Sequence, residues 1–548
     1  MFIISVASAQ QRPIGNPSGQ GYQTNENIKQ TLQGQASDSI THRNKLEDSI
    51  TITFRYLDTT RSFKLDSSIS DFYLRFPVPG TDIYLSNNGS ASRSLLFSPS
   101  FKAGFDLGFH SFDVYKWKLE RARFFNTTRP YSELNYMLGS RSEQIIELMH
   151  TQNIKPNWNF HFQYRLVNSP GFFKNQASNH NSYLFTSWYQ SVRKRYNNYV
   201  TLLSNKIQSS ENGGIKDDQN YIDNPVYKDR FNIPVKLGGD KEFSSNFFTT
   251  KITTGNRYNE FTFLMRQQYD VGRKDSFVTD STVIPLFYPR VRFEHTFQFS
   301  QSKFVYQDYL PDPDYYKKYY DTVLANDSFQ LKDTWRELIN DFSIYQFPDE
   351  KNLQQFIKLG LSMQNLSGSF DSSQKKFYNL FGHAEYRNKT RNQKWDIEAN
   401  GKLYFTGINA GDYEAYLSLQ RYTGKRKGYL LLGFENTNRT PSFNFNNRSS
   451  FYLMDTVVNF KKENNTHLFA SLYLPFFKLK LSGNYYLLNN YTYISSYYKL
   501  QQQNSLFNVL QLSLEKTIRI SRHFNWHADV YFQQVIGSGP LNVPTIYT

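Results

Sequence analysis

The sequence predicts an all-β protein, a transmembrane antiparallel β-barrel of roughly 16 to 20 strands when complete. Many of its segments alternate apolar and polar residues over the roughly 9 to 11 residues with which a tilted strand crosses a membrane. Tyr, Phe and Trp make up 17% of the 548 residues, and aromatic side chains suit lipid contact and membrane interfaces. No segment approaches the roughly 18 consecutive apolar residues of a transmembrane helix, which excludes a helical membrane protein.

The first 48 residues precede the strand-rich part of the chain. Residues 2–6 are apolar, and Ala7-Ser8-Ala9 has the spacing of a signal-peptidase site, so residues 1–9 are predicted to be the remnant of a signal peptide. The alternative is an apolar N-terminus that is retained. Residues 10–48, rich in Gln, Asn, Ser and Gly, are predicted to form a disordered leader.

A β-rich segment is predicted over residues 49–130, and it either plugs the lumen of the barrel or lies in the periplasm. Residues 51–57 alternate, with Ile52, Phe54 and Tyr56 on one face. The aromatic stretch 101–117 contains Gly104 and Gly108, which are compatible with strands or with backbone packed closely against another part of the protein.

The barrel itself is predicted over residues 131–548, and the strand at 158–166 shows the pattern. Trp158, Phe160 and Phe162 point to one side, and the polar or charged residues between them point to the other. Segments 394–406 and 477–487 alternate in the same way. We therefore expect the apolar faces to contact lipid and the polar faces to line the interior. The residues expected to face lipid are Trp158, Phe160, Phe162, Trp395, Ile397, Phe405, Leu479 and Leu481, and the positions expected to be open to water inside include Gln163, Asn400 and Ser482.

Two long spacers, residues 209–242 and 306–350, interrupt the succession of strands. Connections of this length are uncommon in compact soluble domains and usually form functional loops. Within the second spacer, residues 324–340 are predicted to hold one short helix. Long spacers at some turns and tight ones such as Asn489-Asn490 at others match the loop asymmetry of outer-membrane barrels.

A secreted β-sandwich or adhesin-like protein is the main alternative fold. The strands of a sandwich are shorter, with a usual length of about 5 to 6 residues. A propeller or β-helix would show an internal repeat at a fixed period, and the sequence shows none. Closure into a barrel also removes the sheet edges that so many long strands would otherwise expose, which favours the membrane barrel.

Several runs of residues occur in one order along the chain and resemble the β-barrel porins of Bacteroidota-type outer membranes. They are residues 72–77 (FYLRFP), 93–99 (RSLLFSP), 112–117 (FDVYKW), 123–134 (RFFNTTRPYSEL) and 211–215 (ENGGI). The resemblance covers the chain from about residue 50, and it implies a bacterial outer-membrane location and a channel. Such proteins generally run on through further strands to a C-terminal aromatic residue. Because this chain stops at Ile546-Tyr547-Thr548, its last strands are expected to be missing.

The sequence shows no signature of catalysis. It contains no glycine-rich phosphate loop, no His-Glu-x-x-His and no Gly-x-Ser-x-Gly. The ten His residues are scattered, and a lone His on a strand is far more often a polar lumen or interface residue than a metal ligand. The absence of Cys excludes thiolate metal sites. We therefore expect no enzyme activity and no cofactor.

The net charge of +16 is the main sequence evidence on mechanism. A lipid-facing Arg or Lys near the bilayer midplane costs roughly 2 to 4 kcal/mol, so basic residues belong in the lumen, the loops or the interfaces. The pore-lining candidates on the polar faces are Arg165, Arg290, Arg292, Lys394, Lys402, Lys478 and Lys480. A net-basic wall would favour anionic solutes. The alternative is that the charged residues of these faces pair with one another, or bind lipopolysaccharide phosphates outside.

Three functions stay open on the sequence alone. The first is an outer-membrane channel for passive diffusion of small solutes, with a preference for anions. The second is a non-conducting barrel that serves as a scaffold or partner in an outer-membrane complex. The third is a secreted β-protein that binds polyanions. A barrel is expected to contact outer-membrane lipid and lipopolysaccharide and to bind small solutes. It is also expected to form a homo-oligomer or to bind a partner in an outer-membrane complex. Nucleic acid is not expected to be a partner.

Overall fold

The computed structural model describes residues 2–6, 52–65, 75–85, 87–239, 252–278, 283–324, 327–371, 373–424, 426–521 and 524–547. In chain order, the strands before the barrel are β1 (Phe2–Val6), β2 (Ile52–Arg55), β3 (Phe63–Lys64), β4 (Asp82–Tyr84), β5 (Ser92–Ser94) and β6 (Phe124–Thr127). The strands that follow are β7 (Tyr131–Leu138), β8 (Gln144–Lys155), β9 (Trp158–Ser169), β10 (Ser178–Gln190), β11 (Tyr196–Ser210), β12 (Gly255–Val278), β13 (Val283–Asp308), β14 (Phe329–Gln346), β15 (Gln355–Ser369), β16 (Gln374–Lys389), β17 (Trp395–Gly407), β18 (Tyr413–Gly424), β19 (Gly428–Arg439), β20 (Glu463–Leu474), β21 (Leu479–Asn489), β22 (Tyr491–Ser496), β23 (Lys499–Gln503), β24 (Phe507–Arg519), β25 (Asn525–Ile536) and β26 (Ile546–Tyr547). The α-helix α1 spans Pro313–Tyr320, and short 3₁₀ turns lie at Leu119–Arg121, Ser140–Ser142, Pro225–Tyr227, Arg230–Asn232, Phe443–Phe445 and Pro475–Phe477.

Among the described residues, one antiparallel sheet of 19 strands dominates the fold. From β7 to β21 each strand pairs with the next one in sequence, as in the pairs β9–β10, β13–β14 and β18–β19. Strand β21 then pairs with β24, because β22 and β23 form a separate hairpin in the connection between them. Short, local connections between neighbours are what a meander closed into a barrel requires. Among the residues that the structure describes, no helix has the length and apolar character needed to cross a membrane.

The two faces of the large sheet differ in polarity, and the alternation of side chains along each strand is the reason. On β9, Asn159 and His161 are buried on the inner face, whereas Trp158 is 39% exposed on the outer face. On β17, Trp395 and Phe405 are exposed on the outer face in the same way. A continuous apolar outer face is stable only against lipid, so these residues have the lipid-facing positions that the sequence predicts.

The connections at the two ends of the barrel differ in length. Residues 211–254, 309–328 and 440–462 connect strands at one end, here called the long-loop end. Residues 156–157 and 390–394 connect strands at the other, here called the short-turn end. In outer-membrane barrels the long loops are extracellular and the short turns periplasmic, so the long-loop end is assigned to the cell exterior.

The helix predicted for residues 324–340 is wrong, because most of this segment belongs to strand β14. The inner face of β14 carries the aromatic residues Trp335 and Tyr345 as well as polar residues, so apolar side chains occur on both faces and hide the alternation. The helix α1 lies earlier in the spacer. Its N-cap Asp312 accepts hydrogen bonds from the backbone of Asp314 and Tyr315, and a proline occupies its first turn.

Strand β1 pairs with β7, with Phe2 opposite Leu138 and Val6 opposite Leu134. These residues fall inside the predicted signal-peptide remnant, and a segment removed by signal peptidase would not form this pair in the mature protein. Cleavage after Ala9 stays a prediction, and the mass of the mature N-terminus tests it. The predicted leader, residues 10–48, lies outside the described part of the chain.

Candidate functional site: a lumen filled by the N-terminal segment

The N-terminal segment contacts the inner face of the sheet at widely separated strands. Its described parts, residues 52–65, 75–85 and 87–127, are here called the plug. Its hydrogen bonds reach β11 (Trp117 N to Asn205 Oδ1, 3.1 Å), β12 (Arg266 Nη1 to Leu57 O, 2.7 Å), β18 (Ala103 N to Glu414 Oε2, 2.9 Å) and β25 (Phe97 N to Gln533 Oε1, 2.8 Å). One segment can contact all these strands only if the sheet curves around it. The plug therefore lies in the lumen, which is one of the two positions that the sequence left open.

Apolar packing, much of it between aromatic rings, holds the plug against strands all around the wall. Phe109 stacks on Phe304 of β13 with ring centroids 4.1 Å apart, and Phe112 packs edge-on against Tyr258 of β12 at 5.3 Å. Among the apolar clusters of the described residues, all but the one around Tyr345 include plug residues. Buried aromatic side chains contribute much of the packing energy of such cores. The apolar core of this barrel is thus formed between plug and wall.

Two glycines let the plug backbone approach the wall closely. Gly104 and Gly108 have positive φ angles of 92° and 89°, which side chains other than glycine rarely adopt. A Cβ at Gly104 would overlap the ring of Tyr404 on β17, and one at Gly108 would overlap the amide of Asn444. The interpretation of these glycines as backbone packed closely against another part of the protein is confirmed.

A loop of the plug binds the wall through polar groups near the short-turn end. This loop, residues 57–61, is here called the anchoring loop. The hydroxyl of Thr59 accepts hydrogen bonds from Gln268 Nε2 at 2.9 Å and from Arg292 Nη1 at 3.1 Å. Asp58 is paired with Arg387 of β16, and Arg61 lies 3.5 Å from Asp396 of β17 and 3.8 Å from Glu398. The loop therefore connects strands β12 to β17 by charge-assisted contacts.

A second polar anchor lies at the long-loop end. Arg439 Nη2 donates to Asp106 Oδ2 at 2.7 Å, and His110 contacts Asp106 at 3.0 Å and Asp113 at 3.1 Å. Hydrogen bonds to Asp106 and Asp113 raise the pKa of His110 to about 9. Burial opposes ionisation of Asp106, but the hydrogen bond from His110 and the charge of Arg439 hold the pKa of its carboxyl well below the usual range. His110 is thus protonated at neutral pH and bridges two carboxylates within the plug. One of them, Asp106, also binds Arg439 of β19.

Four of the seven pore-lining candidates point inward, and each has a partner. Arg165 donates to the carbonyl of Tyr115 in the plug, and its guanidinium lies 5.2 Å from the ring of Trp117. The other three form ion pairs with neighbouring strands: Arg292 with Asp270 at 2.6 Å, Lys402 with Glu414 at 3.0 Å and Lys480 with Glu515 at 2.7 Å. The charged residues of these faces pair with one another, which was the alternative to a net-basic wall.

The other three candidates, Arg290, Lys394 and Lys478, are exposed at the short-turn end. Arg290 lies next to the irregular pairing of β12 with β13 and binds Glu350 at 3.2 Å. Lys394 immediately precedes β17, and Lys478 immediately precedes β21 with a φ of 46°. Alternation assigns a face only within a regular strand, so it could not place Lys394 and Lys478, which precede strands, or Arg290, which lies at the irregularity in β13. A role for any of the seven in lining a pore stays a prediction.

A polar gap separates the plug from part of the wall. The gap has a volume of ≈ 430 Å³. It lies between Phe101 and Lys102 of the plug and the inner faces of β17 to β19. The wall residues that line it are Glu398, Asn400, Glu414, Ala415, Tyr416 and Glu435. None of the three glutamates was among the predicted site residues, although Glu398 lies on the polar face of the predicted strand 394–406. Within the described chain, no group of three acidic or His side chains is arranged to hold a metal ion.

These features define an outer-membrane β-barrel whose lumen holds an N-terminal plug. The family described as "Putative porin" matches residues 49–548, and the chain belongs to this porin family. The resemblance found in the sequence is confirmed, and so is the bacterial outer-membrane location. A secreted polyanion-binding protein is therefore not supported. No curated protein matches the sequence.

Several solved outer-membrane receptors are similar to this chain. A ferric enterobactin receptor, PfeA from Pseudomonas aeruginosa, has 10% identity and a TM-score of 0.48, over 75% of this chain and 63% of the receptor. The siderophore receptor PirA from Acinetobacter baumannii has 7% identity and a TM-score of 0.46, over 74% and 62%. The ferric-catecholate import receptor Fiu from E. coli has 11% identity and a TM-score of 0.45, over 74% and 65%. The chain thus spans less than two thirds of the length of each of these receptors.

Proposed function

We propose that this porin-family protein is a plugged channel, in which small solutes diffuse passively through the gap between the plug and strands β17 to β19. The observation that carries the proposal is the distribution of plug contacts. The plug packs against β11 to β13 through aromatic rings. It also contacts β17 and β18 at Ala103, but beside that contact a polar gap of ≈ 430 Å³ lies between the plug and the inner faces of β17 to β19. A polar route beside a fixed plug supports transport rather than catalysis.

The charges of the gap support a weak preference for cations. The anion preference expected from the sequence depended on basic residues of the polar faces, and the inward ones have partners in the structure. The glutamates of the gap are paired, as the basic residues are, but together with the ion pairs around them they give six carboxylates against four basic side chains. The carboxylates are those of Asp58, Glu385, Asp396, Glu398, Glu414 and Glu435, and the basic side chains are Arg61, Lys102, Arg387 and Lys402. An excess of carboxylates beside a low-dielectric wall concentrates cations. The preference should weaken with salt, since the Debye length falls from about 10 Å at 0.1 M to about 3 Å at 1 M.

Planar-bilayer conductance of the purified full-length protein tests the proposal. We expect small, steady conductance from the wild type and larger, fluctuating conductance when Asp58→Asn and Arg61→Gln loosen the anchoring loop. The matched control is Arg141→Gln with Asp229→Asn, an exposed ion pair of 3.4 Å at the long-loop end. The control should conduct as the wild type does. Equal conductance of all three proteins would show that the plug does not limit passage.

The same measurement distinguishes a second candidate, a non-conducting barrel that acts as scaffold or partner in an outer-membrane complex. The extent of the packing between plug and wall favours this candidate, because an apolar core shared by the two resists opening. A correctly folded protein that conducts in neither the wild-type nor the loosened form would support the scaffold. Reversal potentials in a salt gradient would separately decide between cation and anion preference.

A further inference from the structure

Basic side chains gather on the outer, lipid-facing side of strands β13 to β16 near the long-loop end. Arg336 of β14 lies opposite Ser367 of β15, and Ser367 lies opposite Lys376 of β16. One strand thus separates the two basic residues, which places their backbones about 10 Å apart. Lys303 of β13 and Lys332 of β14 lie on the same face, nearer the loops. Within the described chain, none of these four residues forms an ion pair, unlike the inward basic residues.

A groove lies between the two central basic residues. It has a volume of ≈ 270 Å³, and the residues that line it include Arg336, Lys376, Phe299, Leu338, Asn365 and Ser367. Phe299 and Leu338, with Asn365 in the same cross-strand row, lie on the side of the membrane centre, and Ser367 lies between the two cations. Glu337 also borders the groove, but it belongs to the inner face, where Gln364 donates to its carboxylate. The groove therefore combines an apolar part with a cationic rim, which is the complement of a lipid with an anionic headgroup.

The position of the groove along the barrel agrees with a headgroup. Ten residue-to-residue steps separate Arg336 from Gln346 at the opposite end of β14. At a rise of about 3.3 Å per residue and a tilt of about 40°, they span about 25 Å, the height of the apolar band of an outer-membrane barrel. A lipid-facing Arg is costly at the midplane but costs only about 0 to 1 kcal/mol near an interface. The basic residues therefore lie at the level of the phosphates on the side of the long loops.

We infer that this groove, here called the lipid groove, binds the phosphorylated headgroup of outer-leaflet lipopolysaccharide. Arg336 and Lys376 contact a phosphate from two sides, and Lys303 and Lys332 add positive charge toward the loops. The start of an acyl chain packs on Phe299 and Leu338. The inference rests on the outer surface alone and holds whether or not the barrel conducts.

Native mass spectrometry of the full-length protein in detergent tests this binding site. The probes are diphosphoryl lipid A, monophosphoryl lipid A and phosphatidylglycerol, each titrated separately, with inorganic phosphate as a competitor. We expect the diphosphoryl form to bind most tightly. Arg336→Gln with Lys376→Gln should weaken its binding by about 30-fold, since each basic residue near an anionic lipid surface contributes about fivefold. Inorganic phosphate should not displace the lipid, because it lacks the acyl chain.

The control variant Lys194→Gln with Lys274→Gln removes the same charge from exposed positions at the short-turn end. It should bind diphosphoryl lipid A as the wild type does, and heat-modifiable gel migration should show that both variants fold. Three results would overturn the inference. They are equal binding by the two variants, equal binding of lipid A and phosphatidylglycerol by the wild type, and full displacement of lipid A by inorganic phosphate.

Discussion

The two sides of the lumen have the same strand pattern but different surroundings. On β9 to β12, inward polar residues such as His161, Thr201 and Gln268 are at most 1% exposed, because the plug covers them. On β21 and β24, the inward ion pair of Lys480 and Glu515 keeps more than a third of each side chain exposed, at 37% and 36%. The plug also covers the long-loop end of β21 and β24, where Phe97 packs on Leu488 and Phe507. The first side is therefore called the covered wall, and the open wall is the part of β17 to β25 that borders the gap or lies toward the short-turn end, outside these plug contacts. The plug, and not the alternation of the strands, therefore decides which parts of the polar inner face water can reach.

The largest difference between the two walls should appear in stability. Phe112 is 1% exposed and belongs to the core between plug and covered wall. Phe112→Ala should therefore lower the free energy of unfolding by about 3 to 5 kcal/mol, measured by urea unfolding in lipid vesicles. Tyr416→Ala removes an aromatic ring that borders the gap on the open wall. Because that ring is only partly buried, its loss should cost about 1 kcal/mol. Equal losses would mean that both walls are packed against the plug.

Ion pairs give a sharper form of the same comparison. Arg292 and Asp270 on the covered wall are 6% and 4% exposed, and their charged atoms are 2.6 Å apart. Asp270→Asn leaves a buried guanidinium without its carboxylate, which should cost about 3 kcal/mol. Glu515→Gln breaks the pair with Lys480 on the open wall, where solvent screens the charges, and should cost less than about 1 kcal/mol. The measurement is again the urea midpoint, and a larger loss for Glu515→Gln would contradict the assignment of the walls.

Chemical labelling tests water access directly. The sequence predicted that Gln163, Asn400 and Ser482 are all open to water, but Gln163 is only 6% exposed beneath the plug. The prediction for Gln163 is therefore wrong, while Asn400 borders the polar gap. A water-soluble maleimide should label Gln163→Cys at least about tenfold more slowly than Ser482→Cys, because the buried position reacts only after local opening of the structure around it. A tenfold difference in rate corresponds to an opening free energy of about 1.4 kcal/mol. The outward Phe162→Cys should resist labelling in lipid. Equal rates for the two inward positions would show a plug that moves freely.

The sequence predicted a strand correctly where one rule, polar residues inside and apolar residues outside, determines the residue type at each position. On β17 the outward residues meet lipid and the inward ones meet polar groups or water, so the alternation is clear. On β14 the inward Trp335 packs on Phe105 of the plug at 4.7 Å, and an aromatic residue on the inner face hides the pattern. The contact between Asp58 of the plug and Arg387 of β16 could not be predicted from the sequence, for a different reason. The two residues lie 329 positions apart in the sequence, and no local pattern reports a contact over such a distance.

The smallest expected effect is a pH dependence of the plug at the long-loop end. His110 contacts Asp106 and Asp113, and these hydrogen bonds raise its pKa from 6.5 to about 9. Because the folded-state pKa is raised, the stabilising contribution is fully present below pH 6.5 and is lost as the pH rises through about 9. The side chain is 61% exposed, so solvent screening keeps the effect small. Hydrogen exchange of residues 106–116 should therefore accelerate between pH 7 and pH 10 beyond its intrinsic rate. His110→Gln should remove that extra acceleration, and a variant that kept it would assign the pH dependence to other groups.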